Sequence, residues 1–263
     1  MPSTDAFSAE ITEASVYEAI GDVLDPELDE SLVKLGFIDH IQVDGGDVTV
    51  AFKLPTYWCS PNFAYLMASD LRAKVLALSG VHTAHILLLD HCTDEEISTS
   101  VNAGKSFVEA FPDETEDNLE ELRLIFLRKG FLVRQDTLLR KLQKAGVDED
   151  TLLSLSRAAL TIDEATQQAM ITTPQQVIHL ERAAHTAQSY LRRAALLGLP
   201  DQPQDLLFTD EHGQPIRSGL QNYLRQCRSV RMNIMFNTVF CSDMFQTRYG
   251  SGEKKLLPEG EMI

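Results

Sequence analysis

Cys59 stands in the run Leu54-Pro55-Thr56-Tyr57-Trp58-Cys59-Ser60-Pro61-Asn62, where strand-forming residues give way to helix-forming ones. Ser60 is a favoured residue just before a helix and Pro61 a favoured first helical residue. The sequence therefore places the thiol at a strand-to-helix corner. Unpaired N–H groups and the positive end of the helix dipole lie at such a corner, and both favour thiolate over thiol. A thiolate there can bind a soft metal ion or attack an electrophile. The competing reading is a small core residue, a common fate of free cysteine. One sulfur cannot fill the four positions of a usual zinc or iron–sulfur site. A second subunit (a homodimer, for instance), a small thiol or a client protein would have to complete it, which implies a labile, transferable site. Nucleophilic attack needs a positioned base; no histidine lies close to Cys59 in sequence, so a cysteine-nucleophile enzyme ranks last.

Further residues invite chemistry. Asp25-Pro26-Glu27 suits a capped turn, and its carboxylates are also hard oxygen donors for iron. Placed near Cys59, their charge would raise the thiol pKa and oppose the helix dipole. His82, His85, His91 and Cys92 cluster in sequence. The odd spacing of His82 and His85 puts them on opposite faces of a strand, and His91 and Cys92 are adjacent without spaced partners. These read as structural histidines, with Cys92 as a reserve ligand. Glu181 and His185 lie one helical turn apart, but no Glu-x-x-His pair of the di-iron bundle type occurs. Residues 138–155 loosely fit a helix-turn-helix, yet Asp148-Glu149-Asp150 would put three acids where phosphate must approach.

Several elements must position these residues. Val16, Ala19, Ile20 and Val23 mark a short helix from Ile11 that stops at Asp25-Pro26-Glu27. Asp44-Gly45-Gly46-Asp47 predicts a tight hairpin between strands over 37–43 and 48–54. Phe63, Leu66, Met67, Leu71, Val75 and Leu78 mark an amphipathic helix after Cys59, ended by Gly80, and His82 to Asp90 gives a third strand. The expected fold is an α+β N-terminal domain over 1–91 (helix, β-hairpin, helix, strand; a small mixed sheet with helices on it). An acidic linker over 92–117 and an all-α C-terminal domain over 118–263 follow. In that domain helices are expected at 118–129, ending at Gly130, then at 136–145, 149–160 and 162–171, and near 217–228. Another opens at Thr173-Pro174-Gln175-Gln176, the pattern of a capped helix start. Val230 to Phe245 is ambiguous between strand and helix, and its Met and Phe residues read as core or, if exposed, as an adaptable protein-binding face. Residues 1–9 read as a loose arm.

A formal charge of −16 and a pI near 4.8 argue against nucleic acid or an anionic membrane as a partner. No apolar run reaches the roughly 18 residues of a membrane span, and the first residues lack a secretory signal pattern. Cys59, Cys92, Cys227 and Cys241 show no C-x-x-C or disulfide-like spacing, which fits reduced thiols and a cytoplasmic protein.

Read as motifs, Asp25-Pro26-Glu27-Leu28, Leu32-Val33-Lys34-Leu35-Gly36-Phe37, Pro55-Thr56 before Cys59, and Gly80-Val81 resemble the SufT/PaaD-type metal–sulfur cluster assembly family over about residues 12–91. The resemblance implies an accessory protein, not an enzyme, that helps build or deliver iron–sulfur clusters or matures metal enzymes. It assigns the functional centre to Asp25, Glu27, Thr56 and Cys59, with iron or a labile iron–sulfur cluster as what they handle, or no metal at all in the isolated chain. It implies cluster-assembly proteins or a client metalloenzyme, such as a multicomponent di-iron monooxygenase, as partners. Many relatives have proline or glycine directly after the cysteine, where this chain has Ser60-Pro61. The alternative is a metal-free adaptor or folding factor for such an enzyme.

Overall fold

The computed structural model describes residues 10–112, 119–217 and 219–250. The arm expected over residues 1–9 and the acids at 113, 114, 116 and 117 lie outside the described residues. The chain divides into two compact units, Met1–Leu119 together with Phe236–Ile263, and Glu120–Met235.

The first unit opens with a capping box in which Thr12 and Ser15 bond reciprocally, starting α1 (Glu13–Ile20), which buries Val16 and Ile20. α1 ends earlier than expected, because the Gly21 N–H closes on the Glu18 carbonyl. A two-stranded ribbon follows, β1 (Leu24–Asp25) antiparallel to β2 (Glu30–Ser31), around the Pro26-containing turn. The expected hairpin forms from β3 (Ile38–Asp44) and β4 (Asp47–Lys53), paired Val43 to Val48. Gly45 has φ +59°, and a Cβ on Gly46 would collide with the His82 ring, so both glycines are required. α2 (Pro61–Leu76) then carries the chain across to β5 (Thr83–Leu89), which runs parallel to β4 in a sheet of order β3-β4-β5. This is the expected mixed sheet, with Val50, Phe52, Ile86 and Leu88 packed against Met67 and Leu71.

The stretch expected as a linker is instead partly folded. It contains α3 (Asp94–Asn102) and α4 (Phe107–Ala110), whose Ile97, Val101 and Phe107 enter the first core. Asp94, Glu95 and Glu96 fill the first turn of α3, where negative charge complements the helix dipole.

The architecture is thus a mixed α/β N-terminal region with small sheets followed by a mainly helical region. In the latter, α5 (Leu119–Lys144) runs unbroken through Gly130, which is buried among Phe131 and Val133. Packing there outweighs the roughly 1 kcal/mol propensity cost of an interior glycine. α6 (Glu149–Ser154) is capped by Asp148. An antiparallel meander, β6 (Leu160–Asp163), β7 (Gln168–Thr172) and β8 (Val177–Leu180), occupies much of the span where helices were expected. Two helices complete the described chain, α7 (Ala184–Leu196) and α8 (Leu220–Tyr249). The ambiguous segment 230–245 is therefore helical, and its residues from Phe236 onward belong to the first unit.

Candidate cysteine site

The loop from Leu54 to Ser60 leaves β4 and enters α2, as the sequence pattern requires. Thr56 Oγ1 accepts the Trp58 N–H at 3.2 Å and lies 3.2 Å from Cys59 Sγ, so its own proton is free to point at the sulfur. From the other side, His91 Nε2–H donates to the Cys59 carbonyl at 2.8 Å, and Nδ1 accepts the Thr93 N–H at 3.2 Å. Both bonds require the neutral Nε2–H tautomer. Burial depresses the His91 pKa, only partly offset by the bond to Cys59, which keeps that form at neutral pH. The Cys92 N–H donates to the Tyr57 carbonyl at 3.0 Å. The end of β5 thereby clamps the cysteine loop through His91 and Cys92.

The thiol itself departs from the expected thiolate. Pro61 has no N–H to offer, and the Phe63 and Ala64 N–H groups bond the Ser60 carbonyl, each at 3.1 Å. The Ser60 side chain makes no capping bond. Half-burial raises the Cys59 pKa; the bonds from Thr56 oppose this, and the charges of Asp25 and Glu27 add to it. Desolvation and two acids outweigh the helix start.

Asp25 serves the turn and also acts electrostatically on the sulfur. Its Oδ1 accepts the Glu27 and Leu28 N–H groups at 2.9 and 3.0 Å, an Asx turn that accounts for the residue type. Buried at 7% exposure, it is pushed up to about 6 by desolvation, against those two bonds. Asp25, Glu27, Thr56 and Cys59 are thus brought into one neighbourhood. Cys92 adjoins them through its backbone, with its sulfur 4.0 Å from His91 Nδ1. His82 and His85 are exposed, while His91 is 1% exposed and holds the loop. Among the described residues, no three His, Cys, Asp or Glu side chains gather as a metal-ligand set.

Sequence reasoning passed over one contributor. The C-terminal part of α8 lies against this corner: Asn237 Nδ2 donates to Glu27 Oε1 at 3.3 Å, and Phe245 packs on Phe37 with centroids 4.9 Å apart. Arg248 donates to the Asp90 carbonyl at 2.7 Å and pairs with its carboxylate at 2.8 Å. Between Asn237 and Phe245, one turn from each, sits Cys241, half-buried against the same core as Cys59. Its thiol is pushed up to about 12, by burial first and then by Asp25, Cys59 and Glu27. The available signal was the spacing of Asn237, Cys241, Phe245 and Arg248 along one helical face.

Residues 13–86 match the model of the iron–sulfur cluster assembly protein family, and no curated protein matches the chain. The match supports a role in iron–sulfur cluster assembly in general. It spans α1 to the middle of β5 and includes Asp25, Glu27, Thr56 and Cys59; His91, Cys92 and Cys241 lie beyond it. No helix among the described residues is long and apolar enough to cross a membrane.

Proposed function

We propose that this chain is an assembly factor of the SufT/PaaD type that takes up iron or a labile iron–sulfur cluster at Cys59 and passes it to a client enzyme. The observation that carries the reading is a half-buried thiol beside two acids, inside the segment matched by the assembly family. Asp25 and Glu27 disfavour a bare thiolate and favour a cation next to it. The hydroxyl of Thr56 steadies the sulfur as it loses its proton, and His91 fixes the backbone from which it projects. Metal displaces the thiol proton on binding, so uptake strengthens as pH rises. Cys92 stands by as a reserve ligand, and the role is an accessory one in the cytoplasm, without turnover of a metabolite.

Client docking has a physical basis beside the sulfur. Trp58 is 77% exposed and stands edge-on to Tyr57 with ring centroids 4.9 Å apart. Exposed aromatics of this kind anchor protein contacts. The same pair also favours the second reading, a metal-free adaptor for an apo-enzyme such as a di-iron monooxygenase. Anaerobic reconstitution with iron(II) and sulfide, with metal and sulfide counted on wild type and Cys59→Ser, separates the two. Loss of bound iron in the variant supports carriage at Cys59; zero iron on both proteins leaves the adaptor, and equal bound iron on both overturns Cys59 as the ligand.

A further inference from the structure

We propose that Arg248, in the last turn of α8, is the positioning residue of the Cys59 loop, tying the strand end that feeds the loop to the segment that clamps it. The inference rests on Cys59 being the working thiol and names what holds its loop from outside the family-matched segment.

Arg248 Nη1 donates to the Leu54 carbonyl at 3.4 Å, where β4 gives way to the loop. Its Nη2 donates to the Asp90 carbonyl at 2.7 Å and pairs with the Asp90 carboxylate at 2.8 Å, where β5 ends. The guanidinium carbon also stands 5.9 Å from the centre of the Tyr57 ring, within the range of a cation–π contact. One side chain thus touches the start of the loop, its middle and the segment opposite. Tyr249 adds to the grip: its hydroxyl donates to Asp90 Oδ2 at 3.1 Å, and its ring lies 5.1 Å from the Arg248 guanidinium.

Asp90 shows what the grip does. Its φ of +56° is a left-handed conformation that residues other than glycine seldom adopt. That turn sends the chain from β5 into His91 and Cys92, which bond the Cys59 and Tyr57 carbonyls. By holding the Asp90 carbonyl and carboxylate together, Arg248 fixes the turn from which both clamp bonds are made. An arginine in a last helical turn gains from the helix dipole even when it points into water. This one is directed instead at Leu54, Tyr57 and Asp90. The task suits arginine in particular, because its planar fork spreads donors over several acceptors where a lysine offers a single charged point.

Trp58 is the single tryptophan of the chain and sits in this loop, so its fluorescence anisotropy reports the loop directly. Arg248→Ala, Arg248→Lys and Asp90→Asn are compared with wild type in the full chain, after circular dichroism confirms that each is folded. Arg225→Ala, which removes an exposed arginine of the same helix bonded to Asn222, is the control. In Arg248→Ala the Trp58 anisotropy should fall, and Cys59 should react with iodoacetamide at least about fivefold faster. That factor is the scale of one lost net hydrogen bond in the local opening that exposes the thiol. Arg248→Lys keeps the charge without the fork and should lie between wild type and Arg248→Ala. Asparagine tolerates the left-handed backbone but offers Arg248 no charge, so Asp90→Asn should shift both readings in the same direction. If Arg248→Ala does not fold, the other two variants decide in its place. Wild-type anisotropy and alkylation in the Arg248 and Asp90 variants overturn the inference, as does an equal change in Arg225→Ala. No metal enters either measurement: a null result here leaves iron carriage by Cys59 standing, and failure of carriage leaves the loop effect standing.

Discussion

The two units give their buried polar groups different partners. In the second, Gln135 is fully buried; its amide donates to Tyr190 Oη at 3.2 Å and to the Thr209 carbonyl at 2.8 Å. The Gln135 carbonyl accepts from Tyr223 Oη at 2.5 Å, and Tyr190 donates to the Leu207 carbonyl at 2.5 Å. The equally buried Asp136 is paired with Arg140 at 2.8 Å and Arg231 at 3.0 Å. In the first unit, Asp25, Cys59 and Cys241 all have raised pKa values, with burial the leading cause. One set is neutralised from within the chain and fixes a unique packing. The other keeps two thiols protonated beside a desolvated carboxylate, an arrangement that an incoming cation would relieve.

The largest effect should come from breaking the satisfied set. Gln135→Leu keeps the volume but removes three hydrogen bonds and strands polar groups in a dry interior, which should cost about 3 kcal/mol. Urea unfolding followed by circular dichroism measures the loss. Iron bound per folded chain should be unchanged. A loss below about 1 kcal/mol would mean that the tyrosines find other partners and that the contrast between the units is weaker than drawn.

Breaking the other set should do the reverse. The Asp25 carboxyl rises from an ordinary 3.8 to about 6 on folding. The folded state therefore holds that proton more tightly, and its stabilising contribution is complete below about pH 4. It declines as pH rises through the interval to about 6 and stays lost above it. Asn at position 25 can still accept the Glu27 and Leu28 N–H groups, yet it carries no charge to desolvate. Asp25→Asn should therefore raise stability at pH 7 by up to about 3 kcal/mol, from roughly 1.4 kcal/mol per pH unit, with the gain vanishing below about pH 4. It should also weaken iron uptake. A variant less stable than wild type at pH 7 would show that Asp25 contributes more as a charge than the structure assigns to it.

What could be read in advance followed the range of the interaction. The Asp25 turn, the Gly45-Gly46 hairpin and the helix after Cys59 are set by residues within a few positions of one another, and all appear. Thr173-Pro174-Gln175-Gln176 shows how a local signal misleads. Thr173 Oγ1 accepts the Gln175 and Gln176 N–H groups at 3.3 and 3.1 Å, and the Thr173 N–H donates to the Gln176 carbonyl at 2.8 Å. The hydroxyl chemistry of a helix cap is thus spent on the turn between β7 and β8. Gly130 reads as a helix end until the packing of α5 is known. Cys241 could not be placed from sequence, because nothing near it says that its helix returns to the first unit. The depressed Cys59 pKa failed for a related reason: burial and the approach of Asp25 and Glu27 are tertiary facts.

The smallest effect sharpens the comparison at a single bond. Thr56 is the one side chain in the first site that works toward thiolate; its hydroxyl and backbone bonds lower the Cys59 pKa against burial and the acids. Thr56→Val keeps the shape and removes the proton that the hydroxyl offers to sulfur. Net hydrogen-bond strengths of about 1 kcal/mol imply a roughly fivefold slower reaction of Cys59 with iodoacetamide near neutral pH. Mass spectrometry of the Cys59 peptide reads this without interference from Cys92, Cys227 or Cys241. Fold stability should move by less than about 1 kcal/mol, because Thr56 is only half-buried and the Trp58 N–H it releases belongs to an exposed residue. An unchanged rate would mean that the hydroxyl spends its proton elsewhere and that Cys59 gets no help in ionising except from the cation it binds.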